Sequence, residues 1–168
     1  MRSSEKKQSE KEDTLIIYAT KSGNAKSVAT MAYKYYTKHG LNPELHNILL
    51  FSPGALTAYK KLLVVISTHS DGMPPPSAKR FFKHLHSKEM PELPDLNFSI
   101  CALGDTSYTH FCEAGKEMDQ RLQELKANPL YPRVDCDVDF SDEAIRWIKG
   151  TWQAMNGNLL LSLETHHF

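Results

Sequence analysis

The residues best suited to chemistry near the start of the chain lie in a short polar loop, Thr20 to Ala25 (TKSGNA), between an apolar run and a helical pattern. Thr20 and Ser22 carry hydroxyls, Asn24 carries an amide, and a helix that begins here leaves its first backbone N–H groups free. Such donors can bind a terminal phosphate monoester without a metal, helped by the helix dipole. An ordinary tight turn with Asn24 as the helix N-cap explains the same residues.

Two common nucleotide-binding loops do not fit this stretch. A Walker loop requires G-x-x-x-x-G-K-[ST], but Gly23 is the only glycine here, and Lys26 and Ser27 lie beyond it without the earlier glycine. A dinucleotide-binding loop requires G-x-G-x-x-G, and two of its three glycines are missing. Nucleotide hydrolysis and a Rossmann-type cofactor are therefore both disfavoured.

Two further polar loops follow apolar runs later in the chain. They are STHSDGMPPP, from Ser67 to Pro76, and LGDTSYTHFC, from Leu103 to Cys112. If the preceding runs are parallel strands of one sheet, both loops emerge at the carboxyl edge together with the loop at Thr20. Ligands of open α/β sheets bind at this edge, so the three loops are the predicted binding site.

The rest of the chain supplies the elements that position these loops. Buried strands are predicted at Leu15–Tyr18, Lys61–Ser67 and Asn97–Leu103, with weaker candidates at Pro43–His46 and Pro129–Val134. Helices are predicted at Asn24–Lys38, Ser52–Tyr59, Ser77–His86, Glu113–Leu125 and from Asp142, after an N-cap at Ser141, to a stop at Asn156, Gly157 and Asn158. This alternation predicts an α/β fold, a doubly wound five-stranded parallel sheet with helices on both faces.

Composition limits the classes of protein that the chain can belong to. Its 168 residues suffice for one domain, and 20 basic and 20 acidic residues give a net charge of zero, which provides no overall attraction to nucleic acid or an anionic membrane. The apolar runs are far shorter than the roughly 20 residues that a membrane helix needs. Cys101, Cys112 and Cys136 lack the spacing of a metal site or a disulfide framework, which favours reduced thiols and a cytoplasmic location.

The two ends differ in composition from the middle. Residues 1–12 are almost entirely polar and are predicted to be a flexible leader. Residues 13–157 contain the alternating pattern and are predicted to form the domain. Residues 158–168 follow the predicted helix stop as a tail, and no function is predicted for them.

The three loops resemble the FMN-binding loops of flavodoxins, and most closely those of the flavodoxin-like domain in diflavin reductases of the sulfite reductase type. The segment LGDTSYTHFC is the most specific of the three, because a Gly-Asp pair, a following aromatic and Phe-Cys before a helix rarely occur together. The likeness extends to RVDCDVDF, from Arg133 to Phe140, and to Trp147, and covers about Asp13 to Met155.

The resemblance implies which residues would hold FMN. Thr20 to Ala25 would wrap the phosphate, Tyr108 would stack on the isoalloxazine ring, His69 would lie on its other side, and Asp105 would accept hydrogen bonds from the ring or the ribityl chain. Phe111 and Cys112 are also explained by packing in the core. The full implied set is Thr20, Lys21, Ser22, Gly23, Asn24, Ala25, Ser67, Thr68, His69, Ser70, Leu103, Gly104, Asp105, Thr106, Ser107, Tyr108, Thr109, His110, Phe111 and Cys112.

The second loop departs from the family's pattern. Ser70 lies where these domains usually have glycine, and Met73, Pro76 and Ser77 replace acidic residues. Lys21 puts a cation in the phosphate loop, where a neutral side chain is common. These changes make partner recognition the least transferable part of the resemblance.

The resemblance implies an FMN-dependent electron-transfer domain of an NADPH-dependent diflavin reductase of the sulfite reductase type. Its implied partners are an FAD- and NADPH-binding reductase as electron donor and a metalloprotein as acceptor, with neither nucleic acid nor membrane involved. The cofactor would perform the chemistry, so no catalytic side chain and no metal site are expected.

Three alternatives stay open. They are a freestanding flavodoxin, a non-redox binding domain that has lost its flavin, and, more weakly, a phosphoryl-accepting receiver domain. The last requires acidic residues after the first strand, where Tyr18, Ala19 and Thr20 stand.

Overall fold

The computed structural model describes residues 13–167 of the chain. The leader predicted for residues 1–12 lies outside the described residues. The strands are β1 (Thr14–Ala19), β2 (Glu44–Asn47), β3 (Lys61–Ser67), β4 (Asn97–Leu103), β5 (Asn128–Pro129) and β6 (Val134–Cys136). The α-helices are α1 (Asn24–Lys38), α2 (Lys79–Leu85), α3 (Glu113–Glu124) and α4 (Ser141–His167), and 3₁₀ helices span Ile48–Leu50, Pro53–Ala58 and Pro76–Ala78.

The strands form one parallel sheet in the order β2-β1-β3-β4-β5. Strand β5 pairs with the start of β4, and β6 pairs with the end of β4. The three central strands are buried on both faces, as expected for a parallel sheet covered by helices. The predicted fold class, a doubly wound parallel α/β sheet, is confirmed.

Two hydrophobic layers cover the sheet. On one face, alternate strand residues such as Ile17 and Val64 pack against α2 and α3. On the other face, Ile16 and Val65 pack against α1 and α4, which contributes the fully buried Trp147. Because successive strand residues point to opposite faces, both layers come from the same apolar runs.

Four predicted elements differ from those observed. The helix expected at Ser52–Tyr59 is a 3₁₀ helix, and the one expected at Ser77–His86 begins as a 3₁₀ turn at Pro76–Ala78 before α2. The strand expected at Pro129–Val134 is divided into β5 and β6, because prolines at 129 and 132 cannot donate to a strand ladder. The stop predicted at Asn156, Gly157 and Asn158 is wrong, since α4 continues to His167. A glycine there costs only about 1 kcal/mol, and the leucines that follow favour a helix.

The carboxyl edge of the sheet carries a close helix contact that positions one of the polar loops. A Cβ added to Gly115 on α3 would lie 2.5 Å from the Cβ of Ala102 on β4. The helix can approach the strand this closely only because the residue is glycine. The chain from β4 to α3, Gly104 to Cys112, is therefore held tightly at both ends.

Candidate functional site

The three polar loops predicted from the sequence begin side by side at the carboxyl edge of the sheet. Ala19 at the end of β1 pairs with Ile66 on β3, and Ser67 at the end of β3 pairs with Leu103 at the end of β4. The loops after β1, β3 and β4 therefore share one edge, the ligand-binding edge of open α/β sheets. We refer to them below as the phosphate loop, after the role predicted for it from the sequence, the β3 loop and the β4 loop.

The phosphate loop (Thr20 to Gly23) turns directly into α1. Gly23 has φ 94° and donates its N–H to Thr20 Oγ1 over 2.8 Å. The helix begins at Asn24 with Gly23 as its N-cap, so the alternative in which Asn24 caps the helix is wrong. The left-handed turn that glycine allows has placed Asn24 inside the helix instead.

The start of α1 is suited to an anion. The first N–H groups of a helix have no acceptor within the helix, and the first turn of α1 contains no acidic residue. Lys21, Ser22 and Asn24 are exposed beside these groups, while Ala25 is buried beneath them. Thr20 accepts a hydrogen bond from Gly23 but keeps its own hydroxyl proton to donate. The arrangement provides donors and positive partial charge for a phosphate group.

The β3 loop (Thr68 to Met73) is a compact turn closed by its own backbone. Gly72 donates to the carbonyl of His69, and His69 donates to that of Met73, each over 2.9 Å. Gly72 has φ 87°, whereas Ser70 is not among the described residues with positive φ. The left-handed position of this turn is therefore Gly72, two residues after the usual glycine that Ser70 replaces.

The β3 loop is also attached to the neighbouring segments. Thr68 donates its N–H to the carbonyl of Leu103 over 3.0 Å, and its Oγ1 accepts from the N–H of Ala114 over 3.2 Å. A Cβ added to Gly72 would lie 2.7 Å from the Cβ of His110. The β3 and β4 loops are thus in direct contact.

The β4 loop (Gly104 to Cys112) leaves the strand through a crowded glycine. Gly104 donates to the carbonyl of Cys136 over 2.9 Å. A Cβ on Gly104 would lie 2.9 Å from both the N and the Sγ of Cys112 and 3.2 Å from Phe111 Cδ1. No side chain larger than hydrogen fits here without moving the backbone of the loop.

The turn after this glycine uses Asp105 for its own closure. Asp105 Oδ1 accepts from Ser107 N over 2.9 Å and from Ser107 Oγ over 2.6 Å, and the Asp105 carbonyl accepts from Tyr108 N over 3.0 Å. The turn presents Tyr108 with 46% of its surface exposed. One carboxylate oxygen of Asp105 is therefore engaged within the loop, and the aromatic ring of Tyr108 is accessible to a ligand.

Asp137 is a residue of the site that the sequence reasoning did not single out. Its carboxylate accepts from Thr106 N over 3.0 Å and from Thr106 Oγ1 over 2.6 Å. These hydrogen bonds hold the pKa of Asp137 below its ordinary value. Asp137 directly follows β6, but the strand predicted from the sequence ended at Val134, so its position at this edge was not evident from the sequence.

The end of the β4 loop packs into the core. Phe111 lies against the hydrophobic cluster on the α3 face, with Lys116 Nζ 5.6 Å from its ring centroid. Cys112 is fully buried, and burial raises the pKa of its thiol to about 12. Its nearest thiol neighbours are distant in sequence, since Cys101 Sγ and Cys136 Sγ lie 3.8 Å apart beside it on β4 and β6. The hydrogen bond to Cys136 and burial raise the pKa of Cys101, so the thiols of Cys101 and Cys112 both stay protonated at neutral pH.

The residues present fit FMN. The phosphate loop supplies hydroxyls and free N–H groups. In the β4 loop, the backbone at Gly104 is closely packed, and Tyr108 presents an exposed aromatic ring. In the β3 loop, Nε2 of His69 is buried and has no hydrogen-bond partner among the described residues. A bound ring with its own donors and acceptors would supply one, since buried polar groups are normally paired.

The fold and the loop arrangement define a flavodoxin-like domain. The Flavodoxin family model matches residues 16–148, and the chain belongs to this family. The predicted family and its FMN cofactor are confirmed. Among solved structures, a flavodoxin variant from Pseudomonas aeruginosa aligns with a TM-score of 0.76 at 24% identity, covering 86% of this chain and 99% of that one. A Streptococcus pneumoniae flavodoxin aligns with a TM-score of 0.72 at 20% identity, covering 84% and 93%.

Similar sequences include flavoprotein subunits of sulfite reductase. The sulfite reductase [NADPH] flavoprotein alpha-component of Bacillus subtilis is 40% identical over 86% of this chain, and that of Buchnera aphidicola is 37% identical over 89%. The chain spans about a quarter of the length of these relatives, 24% and 25%. Within the described residues, no helix has the length and apolar character needed to cross a membrane.

Proposed function

We propose that this chain is an FMN-dependent electron-transfer domain, and that it works in an NADPH-dependent diflavin reductase of the sulfite reductase type. The observation that carries the proposal is that three loops emerge together at the carboxyl edge, with the free N–H groups of α1 in one and the exposed ring of Tyr108 in another. Identity of 40% to the Bacillus subtilis flavoprotein subunit supports the reductase assignment.

Each loop has a separate task in this proposal. Bound FMN accepts and releases one or two electrons, and the chain binds it and sets its surroundings. Thr20 and Ser22 donate to the phosphate together with the N–H groups of α1. Tyr108 covers one face of the ring, and His69 donates to or accepts from the ring edge through Nε2. The implied set from Thr20 to Ala25, Ser67 to Ser70 and Leu103 to Cys112 remains our proposed FMN site.

The partners and location belong to the same proposal. An FAD- and NADPH-binding reductase would deliver electrons, and a metalloprotein would take them. Three free, buried cysteines support a cytoplasmic location, where thiols stay reduced. A freestanding flavodoxin is the second candidate, because the chain covers 99% of the Pseudomonas aeruginosa flavodoxin to which it aligns.

Titration with FMN and with riboflavin tests the proposal. Flavin fluorescence is followed as protein is added, and dithionite reduction of the complex tests its redox activity. Each hydrogen bond to the charged phosphate contributes about 1.5–3 kcal/mol, so two or more make FMN bind at least roughly 100-fold more tightly than riboflavin. Equal affinity for riboflavin contradicts the phosphate loop, and failure to bind either flavin favours the non-redox binding domain.

A further inference from the structure

Two leucines project from the carboxyl edge on the β2 side of the phosphate loop. Leu50 is 83% exposed and Leu49 is 55% exposed, in the 3₁₀ helix that follows β2. The helix is fixed rather than loose, since Asn47 Oδ1 accepts from Leu49 N over 3.0 Å and the neighbouring Ile48 is buried. The two apolar side chains are therefore held outward in a defined position.

Three cations lie on α2, the helix whose Arg80 shares a cleft with these leucines. Lys79, Arg80 and Lys83 are exposed on α2, and none of them forms an ion pair within the described part of the chain. Phe81 and Phe82 occupy the buried side of the same helix. Arg80 lines a cleft together with Leu49 and Leu50, so charge and apolar surface are contiguous.

The chain segment that contains these cations differs in charge from the segment that contains the β4 loop. Residues 60–88 contain six lysines and arginines and one acidic residue, Asp71. Residues 105–143, which extend from the β4 loop to the start of α4, contain ten acidic residues and four lysines and arginines. The segment that contains α2 is thus mainly basic, whereas the segment that contains the β4 loop and α3 is mainly acidic.

We propose that Leu49, Leu50, Lys79, Arg80 and Lys83 form a docking surface, here called the basic face, for a protein redox partner. The partner's own surface would carry carboxylates around an apolar patch that receives the two leucines. Unpaired cations would attract those carboxylates and orient the encounter, and burial of the leucines would hold the complex. The inference rests on the proposed electron-transfer function.

The position of the basic face explains why its partner would exchange electrons. The 3₁₀ helix bearing Leu50 follows β2, and α2 follows the β3 loop through the 3₁₀ turn at Pro76–Ala78. Both start at the edge that holds the three flavin loops. A protein seated on the basic face would therefore lie next to the flavin.

The test measures electron transfer from the FMN-loaded, dithionite-reduced protein to two haem probes by stopped flow. A soluble cytochrome b5 domain presents carboxylates around its haem edge, whereas cytochrome c presents lysines. In each reaction one electron leaves the reduced flavin and converts ferric haem iron to ferrous iron. The variant K79E/R80E/K83E reverses the basic face. The matched control K34E/K38E/K149E makes the same change in charge on exposed positions of α1 and α4.

We expect the unmodified protein to reduce cytochrome b5 at a rate that falls as salt is added. Reversal of the basic face should lower that rate at least tenfold at low salt, and the control should change it less than threefold. Leu50→Ser should lower the rate and leave its salt dependence in place. An equal effect of both charge variants, or no effect of either, would overturn the inference.

Two further measurements separate the possible failures. FMN affinity should be the same in all variants, because none of the changed residues lies in the proposed FMN site. If the unmodified protein binds no FMN, the proposed function itself fails; if it binds and is reduced normally but cytochrome b5 is insensitive to the basic face, only the docking surface fails. Vesicles of phosphatidylcholine and phosphatidylserine test a lipid occupant. Binding to them that K79E/R80E/K83E abolishes, with an unchanged cytochrome b5 rate, would replace the protein partner by an anionic membrane.

Discussion

The phosphate loop and the β4 loop reach the same edge of the sheet but are built differently. Around Gly23, no heavy atom lies within 4 Å of an added Cβ, and the turn depends on its positive φ and on the neighbouring Thr20. Around Gly104, three atoms lie within 3.2 Å, and the loop is fixed by residues from β6 and α3. One end of the site is thus a local motif, and the other is assembled from distant segments.

The largest expected effect concerns the local motif. Changing Thr20 and Ser22 together to alanine removes two hydroxyls from the proposed phosphate site, each worth about 1.5–3 kcal/mol to a charged acceptor. We expect FMN affinity to fall by roughly 100-fold or more, with riboflavin affinity unchanged. Fluorescence titration with both flavins measures this.

Ser27→Ala provides the control for that experiment, because Ser27 is an exposed hydroxyl residue on α1 outside the proposed set. Its FMN affinity should match the unmodified protein. An equal loss of riboflavin binding in the double variant would mean that the two hydroxyls support the fold of the loop rather than the phosphate.

The next effect concerns the assembled end. Gly104→Ala places a Cβ against the backbone N of Cys112, which is not a flexible group. Overpacking of this kind costs about 1–3 kcal/mol, so both the free energy of unfolding and FMN affinity should fall. Urea unfolding of the apoprotein and flavin titration measure the two losses.

Gly23→Ala sharpens the comparison with the assembled end. The added Cβ meets no atom within 4 Å, but the φ of 94° strains any L residue by about 1–2 kcal/mol. Gly23→Ala should weaken the binding of FMN but not that of riboflavin, whereas Gly104→Ala should weaken the binding of both flavins. The opposite pattern would reverse the roles of the two loops.

A smaller effect is expected at Tyr108. If its exposed ring stacks on the flavin, Tyr108→Ala should restore the flavin fluorescence that is quenched in the complex. Stacking contributes about 0.5–1.5 kcal/mol beyond burial, so affinity should fall only a few-fold. Tyr108→Phe keeps the ring and should retain the quenching. Bright fluorescence in the unmodified complex would contradict stacking.

The smallest effect concerns the attachment of the β4 loop to Asp137. The hydrogen bonds from Thr106 lower the pKa of Asp137 below 3.8, so its carboxylate stabilises the loop at neutral pH. This contribution is fully present above the ordinary pKa and is lost as the pH falls through the lowered value. NMR should show the amide of Thr106 shifting only below about pH 4. In Asp137→Asn, the chemical shift of the Thr106 amide should stay constant through that pH range. If it still changes as in the unmodified protein, the titrating group is not Asp137.

The sequence predicted the parts of the molecule that depend on neighbouring residues. The apolar runs of β1, β3 and β4 and the helix that starts at Asn24 appear where the pattern predicted them. The hydrogen bond between Thr106 and Asp137 joins residues 31 positions apart, which no local pattern reveals. The end of α4 was missed because glycine and asparagine weaken a helix without ending it. The bond from Ser107 to Asp105 is local and typical of Asp in turns, but the prediction treated Asp105 only as an acceptor for a ligand.

The three buried thiols offer a way to measure how often the domain opens. Cys101, Cys112 and Cys136 are fully buried. The hydrogen bond to Cys136 and burial raise the pKa of Cys101, and burial raises the pKa of Cys112, so these two residues form little thiolate. An alkylating reagent can therefore react only during transient opening, and its rate at each thiol reports the free energy of that opening. A ligand that binds only the closed form slows labelling by the factor 1 + [L]/Kd. The rates at which Cys101, Cys112 and Cys136 are alkylated would therefore report whether the neighbouring site holds flavin.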